Sequence, residues 1–406
     1  MAGRRLYAWG ALLCALVVVS AAAAAGASAP GVTSTSVLIG GTMPLTGVAS
    51  AYSSVARGAD AYFKYKNDHG GVNGRKVRYK YYDDAHDSSK TVEKTHQLVL
   101  QDHVFAIFNS LGTDQNTAVR SWVNQQKIPQ LFVATGASTF GRDYKKYPWT
   151  MGYQLSYVAE GSIYGRYLAK TRPHARIGVL YQSDDDGKDL LTGLRKGLGP
   201  KAHLIVARQP YDPAATDVGT QISRLKAARA NVFMNFAAPN LAIQAFGYVR
   251  KLAWHPQIFV ASSSSAANIM KLAWLASSKQ TVEGSISVVF LKDPTDPRWA
   301  RDPGVQLYRS IMRKYVAHGN PNDINNVYGM AVAFTMVDAL KHAGRNLTRA
   351  GLMHAATHLN EHNNPFVLPG ITVKTTPANR FPLAQAKLER YRKSVWMSFG
   401  GLVNTR

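Results

Sequence analysis

Cysteine is almost absent from this chain: Cys14 is the only one in 406 residues. It lies inside the N-terminal apolar run, so a chain freed of that run has no disulfide, no thiolate metal site and no cysteine nucleophile. Acidic residues are scarce too. Asp and Glu number 24 against 48 Lys and Arg, a formal net charge of +24. The cations are spread over the whole sequence without a long basic run or a basic tail, which argues against a nucleic-acid-binding arm. The one long apolar run, Ala8 to Val19, is too short for a membrane span. Also missing are Gly-x-Gly-x-x-Gly, a Gly-Lys-Ser/Thr phosphate loop and a Gly-x-Ser-x-Gly elbow. Gly187-Lys188-Asp189 resembles the end of a phosphate loop but lacks the hydroxyl that would hold magnesium.

What is present begins with an address. Arg4 and Arg5 precede the apolar run, and Ala27-Ser28-Ala29 ends it in small residues. That pattern predicts a secretory signal over residues 1–29, cut after Ala25, Gly26 or Ala29. A lipoprotein anchor would need its Cys at the end of the run, not within it. Removing Arg4 and Arg5 leaves +22, a generally basic secreted protein. The remaining length suits two domains, and 46% apolar with 18% charged residues describes a globular chain.

The rest is organised around Pro129-Gln130-Leu131-Phe132-Val133-Ala134-Thr135-Gly136-Ala137-Ser138. A short apolar run ending in small residues reads as a strand buried on both faces, as in a parallel sheet. The run Val104 to Phe108 stops in the same way, at Asn109-Ser110-Leu111-Gly112-Thr113-Asp114. Ligands of open α/β sheets bind beyond such strand ends, so the two tips suggest one shared cradle. Around them strands alternate with helices: 37–43, 77–81, 104–108 and 131–134 in a first half, then 177–181, 203–207, 232–236 and 258–261 in a second. Two successive α/β halves predict two similar lobes with parallel sheets. No Pro/Ser-rich linker separates them, so they are expected to be hinged.

Candidate chemistry is sparse. His354, His358 and His362 recur at four-residue spacing, but no Glu follows His354 and Asn363-Asn364-Pro365 ends the helix. A solvated face explains them better than zinc. Asp184-Asp185-Asp186 lacks the further oxygen ligands calcium needs and reads as a strand-end loop capping the next helix. No metal, cofactor or catalytic residue is expected.

The signal, Pro44-Leu45-Thr46-Gly47, the 129–136 stretch and Tyr181-Gln182-Ser183-Asp184-Asp185-Asp186-Gly187-Lys188-Asp189 together resemble the branched-chain amino-acid type of ABC-transporter substrate-binding protein. Asn326-Val327-Tyr328-Gly329 and Leu368-Pro369-Gly370-Ile371 match as well, and the resemblance spans about 36–402. It implies the type I periplasmic binding protein fold: α/β, two similar doubly wound parallel-sheet lobes, three hinge crossings and a ligand cleft between. The lobes it implies are 36–155 with 285–364 and 156–284 with 365–406. It places ligand contacts at Tyr52, at Asn109, Ser110, Leu111, Gly112 and Thr113, at Thr135, Gly136 and Ala137, at Asp184 and Asp186, and at Ala237, Ser262 and Tyr328. It implies a monomeric periplasmic receptor that is not an enzyme, with a small-molecule solute and inner-membrane ABC permease subunits as partners and no nucleic acid.

The departures bear on the ligand. Amino-acid binders of this family set a second-lobe carboxylate against the ligand's ammonium, and Ser262 stands at the aligned position. The expected aromatic near Ala238 is absent. These changes suggest a carboxylate or amide without an α-amine, its anionic end on Ser110, Thr113, Thr135 and Gly136. The opposite case, an amine held by the 184–186 loop, stays open. Rival readings are a sensor of the same fold feeding a signalling partner, a secreted hydrolase without a visible nucleophile-base pattern, and a nucleic-acid binder.

Overall fold

The computed structural model describes residues 29–406; the signal and its cut therefore lie outside the described residues. The first sheet grows from β1 (Ser36–Met43), which pairs in parallel with β2 (Lys76–Asp83) on one side and β3 (Ala106–Phe108) on the other. With β4 (Gln130–Val133) and β5 (Thr150–Gly152) the order is β2-β1-β3-β4-β5, all parallel. Its helices are α1 (Ser54–Asp68), α2 (Ser88–His96), α3 (Thr113–Gln125) and the short α4 (Thr139–Arg142). In α1 the buried Val55, Ala59, Tyr62 and Phe63 recur at helical spacing, which lays one apolar stripe on the sheet.

After β5 the chain crosses into α5 (Tyr157–Thr171) and starts a second sheet. This contains β6 (Ile177–Gln182), β7 (Ile205–Tyr211), β8 (Val232–Phe236), β9 (Gln257–Val260) and β10 (Ile286–Val289). Between them lie α6 (Asp185–Leu198), α7 (Gly219–Ala227), α8 (Pro239–Lys251), α9 (Ala267–Ala276) and α10 (Lys279–Val282). The strand expected at 203–207 starts two residues later, because Gly199–Leu204 first form a 3-10 turn opened by Pro200.

The chain then returns to the first lobe with α11 (Pro303–Tyr315), α12 (Ile324–His342), α13 (Arg349–Ala356) and the small pair β11 (Asn360–Glu361) and β12 (Val373–Lys374). A last crossing delivers β13 (Gln385–Arg392) and β14 (Val395–Asn404) to the second sheet, whose order is β14-β13-β10-β9-β8-β6-β7. β13 and β14 form an antiparallel hairpin over Lys393 and Ser394, both at positive φ, as a tight two-residue turn requires. The architecture is thus α/β with two lobes and three crossings.

One boundary differs from the sequence-based division. The break read at 284/285 is a turn at Gly284, with φ +79°. The following Ile286–Val289 is a strand between β9 and β13, so the second crossing falls after Val289 and residues 285–289 belong to the second lobe.

Two helix pairs set the lobes' geometry. A Cβ on Gly161, Gly165, Gly193 or Gly197 would lie between 2.2 and 2.4 Å from a backbone oxygen of the partner helix, so α5 and α6 approach backbone to backbone. Gly58 of α1 and Gly329 of α12 do the same in the first lobe, at 2.3 and 2.1 Å. These contacts hold the amino end of α6, and the start of α12, at the cleft. Among the described residues no helix is long and apolar enough to cross a membrane.

Candidate functional site

The carboxyl ends of both sheets face each other across a cavity of about 700 Å³, the place parallel strands leave for a ligand. The two lobes touch around it. Tyr52 Oη, from the loop after β1, donates to the Ser263 carbonyl 2.9 Å away, beyond β9. Ser138 donates through its amide (2.6 Å) and hydroxyl (3.0 Å) to Asp189 of α6.

The first-lobe wall is rich in donors and also carries two carboxylates, Asp87 before α2 and Asp114 in the first turn of α3. Thr113 and Thr135, at the two predicted tips, bring their hydroxyls within 2.7 Å of each other. Gly112 precedes α3 at φ +109°, and no side chain caps that helix. Its first amides, at Thr113 and Asp114, are therefore free and carry the positive end of the helix dipole. Leu111 and Tyr328 also line the cavity, Tyr328 with its ring edge-on to Tyr153 at 5.8 Å.

Four residues expected as contacts on this side stand behind the wall instead. Asn109, at φ +51°, donates through Nδ2 to the Phe132 carbonyl at 2.6 Å. Ser110 Oγ accepts from the Thr42 amide at 3.0 Å. Asn109 ties β3 to β4 and Ser110 ties it to β1, so their polar atoms are spent on backbone. The Gly136 carbonyl accepts from Tyr157, and a Cβ there would sit 2.7 Å from that ring. Ala137 is buried beneath it. Gly136 thus makes room for Tyr157, which does line the cavity.

The second-lobe wall is acidic. Asp184 caps α6, accepting from the amides of Asp186 and Gly187, and takes a further hydrogen bond from Gln182. Asp186 faces the cavity without a cation partner. Burial first, then Asp184, Glu160 and Asp189, push its carboxyl well above the ordinary range. Ser262 lines the cavity but is tied behind it: its amide and hydroxyl both donate to Glu160, at 2.7 and 2.5 Å. Glu160 also accepts from Tyr164 and is fully buried. The buried Ala237 carbonyl accepts from Ser264, and its neighbour Ala238 reaches the cavity.

Sequence reasoning missed several lining residues, among them His86, Gln154, Tyr157, Gln182 and Glu389. None carries a local signal; Glu389 arrives on an antiparallel strand near the end of the chain. Among the described residues five of the lining are carboxylates (Asp87, Asp114, Asp184, Asp186 and Glu389), and none is Lys or Arg. Burial holds the His86 imidazole below its ordinary value against the opposing pull of Asp84 and Asp184. The lining is therefore acidic in a strongly basic chain. Far from it, His354 stacks on His358 at 4.1 Å while His362 lies near Thr372 beyond β11, so the three histidines do not converge.

Fold and site together define a two-lobed receptor with its binding cavity between the lobes. The sequence matches the periplasmic binding protein family over residues 36–389, and the chain belongs to that family, one of solute-binding proteins. Within it the chain is similar to the Leu/Ile/Val-binding protein homolog 1 of Brucella suis, 24% identical over 76% of this chain and 79% of that one. It is also 24% identical to the leucine-, isoleucine-, valine-, threonine- and alanine-binding protein of Pseudomonas aeruginosa, over 46% of this chain; the match spans only about half of that relative (49%). Two solved structures share the fold. One is a branched-chain amino-acid ABC transporter protein of Thermus thermophilus with bound valine (TM-score 0.77, 16% identity, covering 91% of this chain and 96% of that one). The other is a solute-binding protein of an ABC transporter from Rhodopseudomonas palustris in complex with 3,4-dihydroxybenzoic acid (TM-score 0.76, 15% identity, covering 92% and 98%).

Proposed function

We propose that this protein is the periplasmic solute receptor of an ABC importer, closing on an amino-acid-like zwitterion and passing it unchanged to inner-membrane permease subunits. One observation carries the reading: the first-lobe wall offers free helix amides and hydroxyls, and the facing wall offers a carboxylate without a cation partner. Free α3 amides and the Thr113–Thr135 hydroxyl pair suit a carboxylate. Asp186, unpaired on the facing lobe, suits an ammonium group.

Such a solute touches both lobes at once, and only a ligand with extra contacts in the closed form shifts the balance towards closure. The Tyr52–Ser263 and Ser138–Asp189 hydrogen bonds then join the lobes around it. An amine-free acid fits less well, because among the described residues the lining offers its charge no Lys or Arg and sets acidic groups beside it. The volume exceeds what the smallest amino acids fill and lies within the usual range for ligand clefts, about 300–1,000 Å³. Val48, Leu111 and Leu241 on its walls leave room for an apolar body.

Calorimetry with amino acids, their deaminated acids and their amides tests the reading. Amino acids bind, deaminated acids do not, and Asp186→Asn weakens amino-acid binding about 30-fold or more, the cost of removing a charge partner in a closed site. Tight binding of a deaminated acid, unaffected by Asp186→Asn, would refute it.

A further inference from the structure

The second lobe carries another unpaired carboxylate that a simple amino acid does not use. Glu389 lies on β13 opposite Ser287 of β10. It is 4% exposed and lines the cavity. Among the described residues its side chain has no hydrogen-bond or ion-pair partner. The acids around it are satisfied. Glu160 accepts three hydrogen bonds, and Asp293 accepts from the amide and hydroxyl of Thr295, both at 2.7 Å. The cations of the hinge are engaged as well: Lys292 with Asp302 at 2.8 Å, and Arg298 with Asp296 at 2.5 Å. On the same strand Arg390 turns to the Tyr167 hydroxyl.

A buried carboxylate with no partner is costly, and proteins leave one only where a proton or a cation can reach it. Burial, then Asp293, Asp296 and Glu160, raise this carboxyl well above its ordinary range. Glu389 lines the cavity, whose lining among the described residues offers no Lys or Arg.

Resting on the zwitterion reading, we propose that the solute carries a second basic nitrogen, an ammonium or guanidinium, received by Glu389 while Asp186 holds the α-amine. The substrate class is then a diamino or guanidino carboxylate. The backbone end binds between α3 and Asp186, and the side-chain cation reaches the base of the cleft beside β10 and β13.

The test is calorimetry with two matched series: 2,3-diaminopropionate, ornithine, lysine and arginine against alanine, norvaline and norleucine. At least one basic member is expected to bind about tenfold or more tightly than its apolar counterpart. Glu389→Gln should bring that preference to about one, and Glu389→Asp should keep part of it. Thermal unfolding of each variant checks folding, and the wild-type series decides the matter even if a variant does not fold. If apolar amino acids bind as tightly as every basic one, the second nitrogen is refuted while the receptor reading stands. If no member of either series binds, the zwitterion reading falls and this inference with it.

Discussion

The two lobes use the same alternation of strand and helix, yet they end their cleft-facing helices differently. In the first, α3 meets the cavity with an uncapped amino end behind Gly112. In the second, α6 meets it with Asp184 as cap and Asp185 and Asp186 in its first turn. A helix amino end attracts anions. The first lobe has Asp114 in the first turn of α3 but no cap, so its leading amides stay open to a ligand, whereas in the second Asp184 takes up the leading amides of α6. The second lobe also gains two antiparallel strands from the end of the chain, and one of them carries Glu389. Similar folds thus make dissimilar walls, because polarity at a strand end depends on the few residues that follow it.

The contrast can be broken most forcefully through the glycines. Gly193→Ala puts a Cβ 2.2 Å from the Val158 carbonyl and must push α6 away from α5. Denaturant unfolding should show a loss of roughly 1–3 kcal/mol or more, the cost of overpacking. An unchanged midpoint would mean that the two helices are not held backbone to backbone.

A pH series sharpens the comparison from the first lobe's side. Glu361 is buried there, and burial raises its carboxyl from 4.5 to about 8 despite hydrogen bonds from Asn364 and Thr335. The folded chain keeps this proton up to about 8, whereas the unfolded chain releases it near its ordinary value of about 4.3. Its contribution to stability is therefore full below the unfolded value and is lost as pH rises through the folded one, at up to about 1.4 kcal/mol per pH unit. Glu361→Gln should flatten that slope and make the protein more stable than wild type at pH 8. A parallel pH profile for the two proteins would contradict the assignment.

The smallest effect is expected at the hydroxyl pair. Thr135→Val removes one partner of the Thr113–Thr135 contact and the acceptor of the Ala137 amide. Affinity should drop by about 1 kcal/mol, the worth of one neutral hydrogen bond. Equal affinity would remove Thr135 from the ligand's surroundings.

Much of the fold was readable because periodicity is local. Val55, Ala59, Tyr62 and Phe63 announce a buried helix face, and the runs before Asn109 and Thr135 announce buried strands. The destination of Ile286–Val289 was not readable, because an apolar run does not say which sheet will pair with it. The site divided in the same way. Thr113 and Thr135 could be picked as tip residues, but Asn109 and Ser110 on the same tip turn inwards to bind backbone. Ser262 could be read as a missing carboxylate; that Glu160 lies directly behind it could not.

The order of residues alone settles that this chain alternates strands and helices in two halves and ends its strands in small, polar tips. Those traits follow from the backbone geometry of a few neighbouring positions. Which carboxylates go unpaired is a matter of distance through space. Asp186 and Glu389 stand 203 positions apart in the chain, and only the packed lobes set both against one cavity whose lining, among the described residues, holds no Lys or Arg.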